Sequence, residues 1–268
     1  MAVPAQPADK SPRSKRPPYR LGGMGYQEEA GRRLSYDSYL RIPELLALQG
    51  GQSQAHDELL FIVAHQVYEL WFKVVVNELD QVRRSIDADD LHRARHYLRR
   101  VRVIEDLLVQ QVATLETMAP QDFLLFRSEL APASGFQSVQ FREIEVMSGL
   151  RERGYLELDY APEDRARLER RLAEPSLLDA YRSLLERRGV SVEQVYRGRD
   201  QHAELFELLE ALLDHDEGFS LWRTRHVHMV ERQIGNKPGT GGSSGVSYLQ
   251  STLDKRFFPE LWEIRSLL

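Results

Sequence analysis

Residues 56–85, HDELLFIVAHQVYELWFKVVVNELDQVRRS, decide the fold. Leu59, Ile62, Val63, Leu70, Val74 and Leu79 recur at helical intervals with few breakers over about thirty residues. A helix of that length needs neighbours along its whole apolar side, so it predicts a bundle. A second face reads Glu58, Phe61, His65, Tyr68, Glu69 and Phe72. Such a mixture of rings and ionisable groups either meets solvent or lines a cavity. Phe61, one turn before His65, favours the cavity.

Downstream, Asp89 or Asp90 is placed to cap a helix over about Leu91–Met118. His92 and His96 have the i, i+4 spacing of metal ligands, but they sit among Arg93, Arg95, Arg99 and Arg100, which reads as a solvated basic face. Pro120 opens a short segment ending in Phe123, Phe126 and Arg127. Arg127 is either a surface arginine with a packed stem or a guanidinium set to take a carboxylate through two parallel hydrogen bonds. Ser134 is read as the cap of a helix running to about Met147. Residues 150–198 read as a peripheral insert, with a charged helix pair in its 155–198 stretch. From Asp200 a leucine-rich helix runs, across a break near Gly218, into Trp222 and His226 and stops at Gly235. Gly239, Thr240, Gly241, Gly242, Ser243, Ser244 and Gly245 follow, a backbone suited to close approach or motion. The phosphate-loop pattern GxxxxGK[ST] is absent.

Upstream, Ser35 starts a short helix that restarts or kinks near Pro43. Tyr36 and Tyr39 share one face of it, which spacing alone assigns to aromatic packing. The apolar tail Phe257-Phe258-Pro259-Glu260-Leu261-Trp262 is expected to dock on the body. No alternating strand pattern of useful length occurs, so the expectation is an all-α fold. It forms one helical domain over residues 31–268, behind a disordered, basic, proline-rich tail over residues 1–30.

The 268 residues contain no cysteine, which excludes disulfides, iron–sulfur clusters, thiolate metal sites and covalent haem attachment through C-x-x-C-H. Any metal must be held by His, Asp, Glu or Tyr. A net charge of −5 argues against nucleic acid as the main partner. No apolar run reaching the ~18 residues of a membrane span is read, and the tail lacks the apolar core of a signal peptide. The expected setting is cytoplasmic.

Several separated blocks now stand together: SYDSYL (35–40), HDELLFIVAHQVYELWFK (56–73), LLFRSELAPASGFQSVQFREIE (124–145), LWRTRHVHMVERQIGNKPGTGGSSGVSYLQ (221–250) and FFPELW (257–262). In content and order they resemble the tryptophan 2,3-dioxygenase family, haem enzymes that open the indole ring. The resemblance covers most of the chain from Leu34 onward. It implies a helical bundle around a non-covalent b-type haem with His226 as its proximal ligand, and His65 as the distal histidine facing the indole N–H. Phe61 and Phe123 match pocket walls, Arg127 the carboxylate clamp, and Thr240 the contact to the carboxylate and ammonium end. Ser134, Gly135 and Gly239 match cofactor-binding positions. Tyr36 and Tyr39 match tyrosines that reach a neighbouring subunit's pocket in a homotetramer built as a dimer of dimers.

The implied reaction uses O2 as co-substrate and converts L-tryptophan to N-formylkynurenine. The stretch between Tyr196 and Trp222 looks shorter than is typical. This keeps open a haem oxygenase of the same fold acting on a substituted tryptophan, with monooxygenation as one form of that alternative. A non-catalytic haem-binding sensor is a further alternative.

Overall fold

The computed structural model describes residues 34–268, so the tail expected over residues 1–30 lies outside the described residues. The described residues fall into two compact units, one ending at Leu48 and one running from Gln49 to Leu268. No strand occurs among the described residues, and the all-α expectation holds.

In the first unit, α1 (Tyr36–Leu40) starts at a reciprocal cap. Ser35 Oγ accepts from the Ser38 amide at 3.2 Å, and Ser38 Oγ accepts from the Ser35 amide at 2.9 Å. Arg41, at φ 53°, breaks the chain direction before α2 (Ile42–Leu45), which carries proline in its first turn.

The second unit is built on α3 (Glu58–Asp87), α4 (Leu91–Leu115) and α10 (Ala203–Ile234), with α4 packed against both of the others. Along α3 the buried stripe is Ala64, Tyr68, Phe72, Val75, Leu79, Val82 and Ile86, a three/four alternation facing α4. Leu98, Val101, Ile104, Leu108 and Val112 answer it from α4. Each fully buried aliphatic of this seam contributes roughly 1.5–3 kcal/mol. Asp90, rather than Asp89, caps α4, its Oδ1 accepting from the Arg93 amide at 3.1 Å. His92 and His96 are exposed, as a solvated face requires. By length and composition α3 alone among the described helices could cross a membrane, contrary to the reading of no membrane-length apolar run. Here it is the central core helix.

Between these pillars lie α5 (Pro120–Leu124), α6 (Val139–Ser148), α7 (Pro162–Ala173), α8 (Leu177–Arg188) and α9 (Val192–Arg197), with α11 (Val246–Gln250) and α12 (Pro259–Glu263) after α10. Ser134 does not cap a long helix. It caps a 3₁₀ turn over Gly135–Gln137, and Ser138 caps α6, because the proline- and glycine-rich approach turns twice before it can propagate. The stretch read as a peripheral insert is only partly so. Leu177, Ala180, Tyr181, Leu184 and Leu185 of α8 belong to the main core. The charges of α7 serve as attachment: Arg171 grips Asp80 of α3 at 2.8 and 2.9 Å and Glu143 of α6 at 3.1 Å.

Nor does α10 break at Gly218. The glycine is an approach point, since a Cβ there would lie 2.4 Å from Glu105 Oε2 and 2.2 Å from Arg102 Nη1 of α4. One turn earlier, buried His215 bridges Glu105 at 2.7 Å and Ser148 at 2.8 Å, tying α10 to α4 and α6. Buried Asp216 holds the C-terminal segment: Oδ2 accepts from the amides of Phe257 and Phe258 at 3.0 Å each and from Trp262 Nε1 at 2.9 Å. Phe257, Phe258 and Leu261 are fully buried, so the tail docks as its composition suggested. Replacing Asp216 with Ala strands three donors, two of them backbone amides of buried residues, and should cost about 3–5 kcal/mol in denaturant unfolding. A loss below about 1 kcal/mol would contradict this assignment.

Candidate functional site

One cavity of the second unit has a volume of about 280 Å³, and its wall is mostly aromatic and aliphatic. Helical spacing places its first wall. Phe61, His65 and Glu69 lie at i, i+4 and i+8 on α3 and all face it. Phe61 packs on His65 with ring centroids 4.1 Å apart and on Phe123 of α5 at 5.8 Å. The opposite wall is α10, where Trp222, His226, Val230 and Gln233 repeat on one side. Trp222 lies nearly parallel to His226, with centroids 5.0 Å apart and planes at 16°.

Burial decides the charge of both imidazoles. It pushes His226 down to about 4, and the neighbouring His65 adds to that direction. Burial also lowers His65, while the hydrogen bond to the Phe61 carbonyl and the charge of Glu69 pull the other way. Both rings are therefore neutral near pH 7. His65 Nδ1 lies 2.7 Å from the Phe61 carbonyl oxygen, a partner that only accepts. Nδ1 must then carry the hydrogen, which leaves Nε2 as an acceptor.

At the cavity mouth, Arg127 follows α5 and its Nη2 donates to the carbonyl of Pro238 in the glycine loop. Thr240 Oγ1 donates to the Ala133 carbonyl at 2.7 Å. The same loop presses on the turn before α6: a Cβ at Gly241 would lie 2.5 Å from the Ser134 Cβ. At Gly245, φ is +68° and a Cβ would lie 2.5 Å from the Lys237 carbonyl oxygen, so both space and backbone geometry require glycine.

The geometry thus brings together Phe61, His65, Phe123, Arg127, Ser134, Gly135, His226, Gly239 and Thr240. Tyr36 and Tyr39 are not among the lining residues. They belong to the first unit and are 73% and 71% exposed, so the aromatic packing suggested by spacing is not found.

Sequence reasoning missed Arg142, Arg223 and Tyr248, which also line the cavity. Arg142 and Arg223 are buried and share one carboxylate, Glu145, at 2.7 and 2.6 Å. The Nε of each has no hydrogen-bond partner among the described residues. Only the neighbouring apolar residues hinted at this, because an arginine inside an amphipathic helix ordinarily reads as surface. No cluster of three or more potential metal-ligating side chains occurs among the described residues, so a metal here would rest on a single imidazole within a larger group.

An all-helical body with two neutral imidazoles facing one aromatic cavity, and a guanidinium and a hydroxyl at its mouth, defines a class: a helical pocket with an apolar interior and a polar, cationic mouth. Comparison with known proteins makes the class particular. Residues 23–192 and 187–268 match the family model described as tryptophan 2,3-dioxygenase, and the chain belongs to that family. It is 49% identical over 258 residues to a tryptophan 2,3-dioxygenase of Nocardioides sp., covering 90% of this chain and 97% of that relative. The tryptophan 2,3-dioxygenase of Herpetosiphon aurantiacus is 47% identical over 87% of this chain and 98% of its own. That of Anaeromyxobacter sp. strain K is 44% identical over 88% and 96%.

A Gly245→Ala substitution should loosen the loop without loosening the bundle. Amide hydrogen exchange over residues 236–245 should quicken several-fold while the core amides of α3 and α4 keep their protection. Unchanged loop exchange would contradict the close approach described here.

Proposed function

We propose that this chain is a haem-dependent dioxygenase that inserts both atoms of O2 across indole C2–C3 of L-tryptophan, giving N-formylkynurenine. The observation that carries this reading is the pair of neutral imidazoles, His226 on α10 and His65 on α3, facing one cavity. Family membership and the shared name of the relatives support it.

The residues fit an iron protoporphyrin. A neutral imidazole with no competing protein partner is the form that ligates iron, and His226 would supply it. Apolar rings suit the macrocycle. Arg142 and Arg223 have only Glu145 between them, so that wall holds one positive charge in excess, which suits the carboxylates of haem b. Ser134, Gly135 and Gly239 line the cavity and are assigned to its edge. When bound, haem supplies the redox chemistry that lets O2 react with the indole ring.

The remaining work falls to the chain. His65 Nε2 accepts the indole N–H, which fixes the ring plane while its own Nδ1–H stays on the Phe61 carbonyl. Phe61 and Phe123 bracket the indole and exclude water. Arg127 exchanges the Pro238 carbonyl for the substrate carboxylate, and Thr240 contacts the same end. Holding both ends of the substrate removes rotational freedom before reaction, a gain of several kcal/mol when the bound geometry is close to that of attack.

The substituted-tryptophan alternative is not favoured, since the relatives over nearly their full length carry one name. A homotetramer and a cytoplasmic setting belong to the same proposal. The tetramer is supported by the exposed Tyr36 and Tyr39 and by the exposed Leu59, Val63 and Leu70 on one side of α3.

Two variants test the assignment. Purified His226→Ala should lose most of its haem absorption band. Arg127→Ala should retain the band but bind tryptophan about 2–4 kcal/mol more weakly, roughly 30- to 900-fold in Kd. Equal haem retention in both would overturn the ligand assignment, and unchanged tryptophan affinity in Arg127→Ala would overturn the clamp. Under O2 the product should gain two oxygen atoms by mass; a gain of one would favour the monooxygenase reading.

A further inference from the structure

Two carboxylates face the cavity, and they stand in opposite circumstances. Glu145 is taken up by Arg142 and Arg223. Glu69 pairs with no cation among the described residues. Its Oε2 accepts from Gln140 Nε2 of α6 at 2.7 Å, and the second hydrogen of the same amide goes to the Glu69 backbone carbonyl at 2.8 Å. One side-chain amide therefore holds both ends of the residue and fixes where its charge sits.

That charge lies one helical turn beyond His65 on the same cavity-facing side of α3. The other groups near the imidazole offer no negative charge. Tyr68, with its ring 6.4 Å from His65, is pushed up to about 12 by burial and is neutral. His226 on α10 is neutral, and Arg127 at the mouth is a cation.

We propose that Glu69 is a positioning residue for the reaction: its clipped negative charge makes His65 Nε2 a stronger acceptor for the substrate N–H than a purely apolar pocket would allow. The inference rests on the reading of His65 given above. Burial makes the imidazole hard to protonate because it disfavours the cation, whereas the strength of Nε2 as an acceptor follows the field at its lone pair. A carboxylate held in the wall, beyond hydrogen-bond reach of the ring, adds to that field without occupying the acceptor site.

The sign follows. Tryptophan binding needs neutral His65 and weakens as the pH falls through its titration. Burial lowers that titration and Glu69 raises it. Removing the charge should therefore move the acid limb of tryptophan binding further down, so that the variant tolerates acid better than the parent. Glu69→Gln is the informative change because the amide oxygen can still accept from Gln140. Glu69→Ala and Gln140→Leu, which abolish the clip, separate charge from packing.

The experiment is the Kd of tryptophan against pH, read from the substrate-induced absorption change of the holoenzyme, in parent, Glu69→Gln, Gln140→Leu and His65→Ala. The expected result is an acid limb roughly 0.5–1 pH unit lower in Glu69→Gln, less than the ~1–3 units of a contacting charge pair. A smaller displacement is expected in Gln140→Leu, and loss of the limb in His65→Ala. If His65→Ala keeps the parent's limb, the reading of His65 fails. If that variant loses it while Glu69→Gln leaves it in place, the reading of His65 stands and the role of Glu69 is overturned. General damage to the fold would weaken binding at every pH without moving the acid limb, so a uniform loss with the limb in place counts against the proposal, whereas weaker binding above the limb together with its displacement is the expected result.

Discussion

Burial of imidazole is the constraint to which the rest of this molecule answers. A histidine in water titrates just below neutrality, and a ligand or acceptor that is half protonated at working pH serves neither role. Here two long helices and the aromatic side chains between them remove water from His226 and His65. The α3–α4–α10 core is thus the device that fixes protonation, as well as the scaffold that fixes position. Gly218 belongs to that device. By letting α10 approach Arg102 and Glu105 of α4, it sets the depth at which the following turns, and His226 with them, enter the body.

Where charge is needed inside such a body, it must be held. Glu105–His215–Ser148, Asp216 with its three donors, and Arg142–Glu145–Arg223 are all buried and connect separate elements. Breaking one such member leaves its partners desolvated, at a cost of several kcal/mol. The first two lie outside the cavity lining. The third carries two cations on one carboxylate and faces the cavity. The contrast is one of access, since all three are buried and the third borders the cavity.

The fold and most of the cavity were legible in the sequence because both rest on periodicity. The length of α3 and the Phe61–His65 step follow from 3.6 residues per turn, and the end of α10 at Gly235 from its cap, but of the apolar pattern read along α3 only Leu79 is buried, while Leu59, Val63 and Leu70 are exposed. What was not legible depends on what a residue meets across space. Gly218 reads as a helix break until the guanidinium and carboxylate beside it are known. Ser134 reads as the cap of a long helix, although a 3₁₀ turn and a second cap at Ser138 intervene. Arg142 and Arg223 read as surface because nothing local says that Glu145 will be buried with them. Tyr36 and Tyr39 were given two destinations, local packing by spacing and a neighbouring subunit by resemblance, and their exposure agrees with the absence of the first.

The mouth of the cavity is already satisfied without substrate. Arg127 gives a hydrogen to the Pro238 carbonyl and Thr240 gives its hydroxyl hydrogen to Ala133, so the residues that would clamp an amino acid presently clamp the glycine loop. On the proposed reading, substrate entry is an exchange of acceptors, in which a carboxylate replaces a neutral carbonyl on the same guanidinium. Both bonds have an ionised donor, and the carboxylate adds ion-pair attraction and a second parallel hydrogen bond. The glycines of the loop answer to the same crowding, since Gly239, Gly241 and Gly245 each sit where a side chain would strike a neighbour.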